Sequence, residues 1–167
     1  MLDYNRRLRT ALTLPLLSWD VVSMQRGHHF LTTTVEKDLK KLTSLQAHHS
    51  WDQSAKALAD LLSSHVYEAL VLTNQEELIE WVSDGFASMT GYGPEEVLHR
   101  KPDMLQNPNT DPGDTQIIRQ HLTARKTFTA TVLNERKNGE EYRCELHVVP
   151  LTSAGETTHF LALEREV

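Results

Sequence analysis

The sequence has 167 residues, of which 39% are hydrophobic and 24% are charged, and its formal net charge is −6. This composition is typical of a globular protein with one domain and an extension. The charge is uneven, because residues 1–66 carry 8 Lys or Arg against 6 Asp or Glu, whereas residues 67–167 carry 9 against 17. The acidic second part argues against nucleic acid binding, which requires clustered cations that release counterions.

Cys144 is the single cysteine of the sequence. One cysteine cannot form an internal disulfide or a paired-cysteine metal site, so the sequence predicts a reducing, cytoplasmic location. No apolar stretch approaches the roughly 20 residues that a membrane span needs, and the N-terminus has no small-residue cleavage site. We therefore expect neither a membrane segment nor a secretory signal.

Residues 1–66 are predicted to form a helical extension. Ser18 is a candidate N-cap for a helix that runs toward His49, and a second helix is predicted over Asp52–Ser63. The apolar stripe of each helix is too narrow for the helix to stand alone. The helices must pack on the second part, on each other or on a partner chain, and these alternatives stay open.

Residues 67–167 are predicted to be of the α+β class, with strands and helices mixed along the chain. A helix capped by Asp111 should direct Ile117, Ile118 and Leu122 inward. The predicted strands are Ala69–Thr73, Leu78–Ser83, Thr127–Arg136, Glu141–Leu151 and Thr157–Glu166, and the predicted helices are Asp84–Tyr92, Pro94–His99 and Pro112–Arg125.

Two turns join the last three predicted strands. Asn138-Gly139 is a strong signal for a two-residue hairpin, and Ala154-Gly155 helps to turn the last pair. Side chains alternate across a strand, so each strand divides into an inner and an outer set. The inner set is mostly apolar, as expected of a concave face that lines a pocket. The outer set contains Leu133, Val149, Leu161 and Leu163, so we expect a helix of the extension or a second copy of the chain to cover it.

Several motifs give the second part a family resemblance over about Glu68 to Val167. It resembles a PAS domain, and within that superfamily it is most similar to bacterial sensor PAS modules and to the flavin-binding LOV branch. The motifs are IEWVSDGF at 79–86, MTGY at 89–92, PEEVL at 94–98, LQNPNTDP at 105–112, LNERKNG at 133–139 and HFLALE at 159–164. The resemblance implies a five-stranded antiparallel sheet with short helices on one face.

The resemblance to LOV domains departs from the family pattern at the photochemical position. LOV domains carry an Asn-Cys-Arg triplet where this sequence has Lys101, Pro102 and Asp103. The photoreactive cysteine is therefore absent, and Asp103 replaces the arginine that would face a flavin phosphate. The Lys-Pro-x-x-Leu-Gln pattern is more similar to the sensor PAS modules attached to bacterial histidine kinases.

Five residues are candidates for cofactor binding by this resemblance. Gln106, Arg119 and Asn134 match flavin-contacting positions, whereas Cys144 and Glu164 replace an asparagine and the signalling glutamine. Cys144 is alternatively a small buried hydrophobe, or a reactive thiol. Glu164 is either a carboxylate at the rim or a buried acid, paired with Arg119 or Lys101, that anchors a ligand.

The nine histidines raise the question of haem or metal binding. Adjacent pairs such as His48-His49 point about 100° apart on a helix and cannot chelate one ion together. His99 and His121 are the candidates for haem ligation. No clustered ligand set and no catalytic arrangement is evident, so the sequence predicts no metal site and no enzyme activity.

The predicted function is that of a sensory module that binds a small ligand or a partner protein and relays its state through helix and sheet packing. The alternative is a ligandless interaction module that dimerises. No cofactor is expected, with flavin or haem as alternatives. A homodimer and a signalling partner such as a histidine kinase are the expected assemblies.

Overall fold

The computed structural model describes residues 34–167. Of the two compact units into which the chain divides, 1–37 and 38–167, the second contains the sheet. The first described helix, α1, covers 34–49, so the first half of the helix predicted from Ser18 lies outside the described residues. From residue 38 onward, α1 belongs to the same compact unit as the sheet.

Nine further helices and strands and one short 3-10 helix follow α1 in the described part of the chain. The 3-10 helix covers Pro102–Leu105. The helices and strands are α2 (Ala55–Ser64), β1 (Ala69–Asn74), β2 (Ile79–Val82), α3 (Asp84–Thr90), α4 (Pro94–Val97), α5 (Pro112–Thr123), β3 (Phe128–Glu135), β4 (Glu141–Ser153) and β5 (Glu156–Glu166).

The five strands form one antiparallel sheet in the order β2-β1-β5-β4-β3. The last strand therefore lies in the middle, where Leu161 pairs with Leu72 of β1 and with Val149 of β4. This sheet and its short helices confirm the predicted α+β arrangement.

The inner face of the sheet carries the main apolar core, which includes Val71, Phe86 and Phe128. Helix α5 contributes Ile118 and Leu122, which are partly buried against this core. The prediction for Ile117 was wrong, because its side chain is 49% exposed. Residues 118 and 122 are four apart and share a helix face, whereas a neighbour in sequence is rotated by about 100°.

The prediction of a two-residue hairpin at Asn138-Gly139 was wrong, whereas Ala154-Gly155 does turn the last pair of strands. The β3–β4 connection is longer than two residues, because Arg136 still pairs with Glu140 through its N–H at 2.8 Å, and Gly139 closes the loop at a φ of 86°. The β4–β5 connection is the two-residue turn, with φ of 51° at Ala154 and 79° at Gly155. Positive φ at both residues is the type I′ geometry that suits the twist of a hairpin.

The outer face of the sheet is covered by residues of α1, α2 and the segment between them. Leu161 and Leu163 on this face are 0% and 3% exposed, and Leu58 and Leu62 of α2 are each 1% exposed. His65, which follows α2, stacks on His147 of β4 with ring centroids 4.1 Å apart. The helices that cover the outer face, as the sequence predicts, thus belong to the same chain.

Asp52, in the segment between α1 and α2, holds the β4–β5 turn. Its N–H donates to the carbonyl of Thr152 at 2.7 Å. Its carboxylate accepts the N–H of Ala154 at 3.1 Å and that of Gly155 at 2.9 Å. These bonds to the charged form lower the pKa of Asp52, the bond from Gly155 most of all.

Candidate functional site

A cavity of about 360 Å³ lies between the inner face of the sheet and the segment that runs from the 3-10 helix to α5. A volume of this size is in the range of small-molecule sites. Its walls are mostly apolar, with polar side chains at a few points. The apolar lining includes Val71, Leu105, Ile118, Leu122, Phe128, Val132, Leu146, Val148, Phe160 and Ala162, and the polar lining includes Thr73, Glu77, Lys101, Asp103, Gln106, Thr115, Arg119, Asn134 and Glu164.

Glu164 lines this cavity from the central strand and is 5% exposed, so it is not a carboxylate at the rim. Burial raises the pKa of its carboxyl to about 7, against a hydrogen bond from Cys144 that lowers it. The Cys144 Sγ is 3.9 Å from the carboxylate oxygen Oε2. Within residues 34–167 no cation pairs with Glu164, and the predicted pairing with Arg119 or Lys101 is not formed.

Asn134 is the second buried polar residue on the cavity wall, and it is also 5% exposed. It lies on β3 opposite Tyr142 of β4. The Tyr142 hydroxyl is buried near the Asn134 carboxamide, but no group in the described part of the chain meets it in hydrogen-bonding geometry. Burial raises the pKa of Tyr142, so this phenol stays neutral at neutral pH.

Gln106 and Arg119 lie at the cavity edge, on the segment after the 3-10 helix and on α5. Gln106 is half-buried and Arg119 is exposed. Lys101 also lines the edge, with its Nζ 3.8 Å from Oε2 of Glu77. The rim therefore carries charges of both signs around an apolar interior.

Cys144 is fully buried on β4 and does not belong to the cavity lining. It packs in the inner core, and its thiol has the Glu145 carbonyl oxygen at 3.8 Å as well as Glu164 nearby. Burial raises the pKa of this thiol, and the charge of Glu164 raises it further. The geometry is that of a small buried hydrophobe, because a reactive thiol needs access and a lowered pKa.

The described cavity lining contains no histidine. His121 is exposed on α5 and stacks on Phe128 with ring centroids 4.9 Å apart. His99 is exposed in a turn after α4 with a φ of 62°. Neither residue belongs to the described lining, so that lining does not supply an axial ligand for haem.

On the outer side of the sheet, the structure groups His49, Glu80 and His159, with ligand atoms within 4.8 Å of one another. The Nε2 atom of His159 is 3.1 Å from Oε2 of Glu80, and that of His49 is 3.9 Å away. Two histidines and a carboxylate are a donor set that zinc accepts. The histidine pair at 48–49 was predicted not to chelate an ion, and only the fold brings residues 80 and 159 beside His49.

The hydrogen bonds of His159 argue against a metal ion at this cluster. Trp51 Nε1, which is always a donor, donates to His159 Nδ1 at 3.0 Å. A neutral His159 therefore carries its proton on Nε2 and donates it to Glu80. A metal-bound histidine has the opposite arrangement, because its second nitrogen donates to an acceptor. Hydrogen bonds from Trp51 and to Glu80 hold His159, and the His49 ring stacks on Trp51, so the cluster joins the end of α1 to the sheet without an ion.

Comparison with known proteins assigns the family. A family model described as PAS domain matches residues 68–167. The chain belongs to the PAS domain family. The match begins at the residue before β1 and includes every strand of the sheet and the whole cavity wall.

Two curated relatives show which members of the family the chain is similar to. It is 33% identical over 90 residues to the blue-light-activated histidine kinase of Brucella anthropi, a match to 53% of this chain and 18% of that protein. It is 33% identical over 124 residues to phototropin-2 of Oryza sativa subsp. japonica, a match to 72% of this chain and 14% of that protein. The chain thus spans less than a fifth of either relative.

Solved structures agree with this assignment. The light state of the blue-light photoreceptor Aureochrome1 LOV matches with a TM-score of 0.59 and 26% identity, over 65% of this chain and 87% of that one. The PAS domain of the fruit-fly ELK potassium channel, at 24% identity and a TM-score of 0.57 over 60% of this chain and 86% of that one, shares the fold. The same sheet therefore occurs in light receptors and in a channel.

Among the described residues, no helix is long and apolar enough to cross a bilayer.

Proposed function

We propose that the chain is a sensory PAS module that binds a small ligand in the cavity and relays occupancy through the packing of its helices and sheet. The observation that carries this proposal is the cavity of about 360 Å³ on the inner face, which has apolar walls and a buried carboxyl. An apolar hollow with a few convergent polar groups is the usual form of a ligand site. The similarity to a blue-light-activated histidine kinase and to phototropin-2 supports the same function.

The output elements of this proposal are the helices on the outer face. A ligand shifts a conformational equilibrium only if it binds one packing more tightly than the other. The buried leucines of α2 and the contacts of Trp51 with His159 and of His65 with His147 hold the helices on the outer face. A shift in this packing is the output that we propose.

Flavin is a second candidate ligand, because one solved relative is a LOV domain studied with a flavin analogue. The residues fit that chemistry only in part. Gln106, Arg119 and Asn134 line the cavity, but Pro102 and Asp103 line it too, and the described lining offers no thiol. Flavin adduct photochemistry does not fit these residues. A flavin bound in the dark would appear as a yellow colour in the purified protein.

Assembly is part of the proposal. We propose a homodimer and a histidine kinase as the downstream partner, on the strength of the kinase relative. The kinase activity itself is not proposed for this chain, because the matched segment is the PAS domain. The single free, buried cysteine supports a cytoplasmic location. Light scattering after size exclusion measures the dimer directly, and a monomer at micromolar concentration contradicts it.

Native mass spectrometry, combined with a visible spectrum, tests ligand binding. We expect the protein purified from its own host to carry a non-covalent small molecule. The variant Ala162→Leu narrows the cavity from the central strand and should lose that mass, because an added side chain occupies the same volume. The matched control is Ala57→Leu, at an exposed position of α2.

Hydrogen exchange then tests the relay. Release of the ligand should change the exchange of residues 38–64 more than that of the β3–β4 hairpin. The proposal fails if the host protein carries no ligand. It also fails if loss of the ligand leaves exchange in the outer helices unchanged.

A further inference from the structure

Glu164 is an acid on the wall of the cavity, and it has no counterion among residues 34–167. It is 5% exposed, and its side chain has the Cys144 thiol as its one hydrogen-bond partner in the described part of the chain. A thiol is a weak donor and neutralises no charge. The buried carboxyl therefore lacks the partner that buried acids in proteins normally have.

The groups around Glu164 do not supply that partner. Tyr142 and Cys144 are both neutral near pH 7, because burial raises the pKa of each. Lys101, one cation of the cavity edge, is near Glu77 and half-exposed to solvent. Arg119, the other, is exposed on α5. Residues 34–167 therefore supply no counterion for an ionised Glu164, and a bound cation could supply one.

We infer that the cavity takes a small aromatic cation, such as an amidine or a protonated amine, whose N–H groups bind the Glu164 carboxylate. This inference rests on the proposed function, since it names the chemistry of the ligand in the same cavity. A carboxylate can accept two parallel N–H donors from one planar cation, which is a strong and directional arrangement.

The walls of the cavity fit the rest of such a molecule. Phe128 and Phe160 contribute aromatic faces, and Ile118 and Leu146 contribute aliphatic ones. Aromatic rings pack favourably on both kinds of surface. An anion is disfavoured at the deep end of the cavity, because it would lie against an acid in a medium of low dielectric constant.

Three probes of one shape separate the alternatives: benzamidine is a cation with two N–H groups, acetophenone is neutral and only accepts hydrogen bonds, and benzoate is an anion. We expect calorimetry at pH 7.5 to show benzamidine binding at least about tenfold tighter than acetophenone, the usual range for hydrogen bonds to a charged group. Benzoate should bind more weakly than either probe.

The variant Glu164→Gln keeps the shape of the side chain and removes its charge. It should reduce benzamidine affinity by about tenfold or more and leave acetophenone affinity within about twofold. The control Glu156→Gln removes a carboxylate from the exposed beginning of the same strand, where its side chain is 84% exposed. That control should leave the affinity for all three probes unchanged.

The outcomes distinguish this inference from the proposed function. If acetophenone or benzoate binds as tightly as benzamidine, or if Glu164→Gln does not weaken benzamidine, the cation is the wrong ligand class while the cavity remains a binding site. If no probe binds, the inference fails, and the ligand carried by the host protein decides the proposed function separately. If Ala162→Leu weakens no probe that binds, the probes lie outside the cavity and the inference fails.

Discussion

The two faces of the sheet differ in whether their buried polar groups find hydrogen-bond partners and counterions within the described chain. On the outer face, His159 accepts a hydrogen bond from Trp51 and lies 3.1 Å from Glu80, all within one chain. On the inner face, Glu164 reaches a cavity, and its one hydrogen-bond partner within residues 34–167 is the thiol of Cys144. The described part of the chain thus pairs the polar groups of the outer cluster and leaves an acid on the other side without a counterion. A ligand that supplies the missing counterion on the inner side can therefore change the free energy of unfolding.

The largest effect on stability is expected at Gly85, where helix α3 packs against the beginning of β1. A Cβ atom there would lie 1.8 Å from the backbone carbonyl oxygen of Glu68. Glu68 directly precedes β1 and its N–H is bonded to the Glu164 carbonyl, so its backbone cannot move aside cheaply, and Gly85→Ala should abolish most of the folded protein. Circular dichroism and the soluble yield measure the loss.

Gly93→Ala is the matched control for that prediction. A Cβ atom at position 93 would meet only the flexible end of Glu96, at 3.5 Å. This variant should keep the fold, with a melting temperature within a few degrees of the wild type. Equal behaviour of the two variants would contradict the close approach of α3 to β1.

The next effect concerns the outer face, where Trp51 is 3% exposed. Trp51→Ala removes its large side chain and the N–H that donates to His159. The free energy of unfolding should fall by about 3–5 kcal/mol, as for other buried aromatic side chains. Urea denaturation measures it, and Trp51→Phe should cost clearly less. A loss below about 1 kcal/mol would mean that the helices do not seal this face.

Glu164 makes the inner face sensitive to pH. Its pKa is about 7 in the fold, against an ordinary value of 4.5, so the folded state holds more protons between these values. Stability should therefore be highest below about pH 4.5 for this group and fall by about 3 kcal/mol as the pH rises past 7.

Glu164→Gln should remove that dependence and make the protein more stable than wild type at pH 8. The two proteins should differ little at pH 4.5. Urea denaturation across this pH range is the measurement, and Glu156→Gln is the control. A variant that follows the wild-type pH profile would show that Glu164 is not the group responsible.

The smallest effect is expected at the β4–β5 turn, where Ala154 has a φ of 51°. A left-handed conformation costs a residue with a Cβ atom roughly 1–2 kcal/mol. Ala154→Gly removes that strain but frees the unfolded chain, so we expect a net gain of about 0.5–1 kcal/mol. Ala57→Gly, at an exposed position in α2, should instead lose about 1 kcal/mol. A loss at both positions would contradict the type I′ turn.

The sequence was sufficient for the strands and for most of the cavity wall. Period-two alternation correctly assigned Asn134 and Glu164 to the inner face, because side-chain direction along a strand is a local property. The same alternation revealed the outer apolar residues such as Leu161, and hence the need for a cover. Gln106 and Arg119 were found through the family resemblance, since they lie on loop and helix, where no simple period applies.

Other features depend on tertiary geometry that no local pattern encodes. The β3–β4 loop is longer than Asn138-Gly139 alone suggests, because the strand register decides where pairing stops. The sequence could not decide whether Glu164 forms an ion pair with Arg119 or Lys101, because ion pairing depends on distances across the cavity. The grouping of His49 with Glu80 and His159 joins residues far apart in the chain. It was therefore missed.

The middle strand of the sheet has a mechanical consequence. In β5, Glu164 points into the cavity while the residue before it, Leu163, is buried on the opposite side beneath the helical cover. A peptide unit is rigid, so a pull on one side chain tilts the next one. In the proposed function, a ligand bound at Glu164 would therefore act on Leu163 through one backbone segment, which is hydrogen-bonded to a strand on each side.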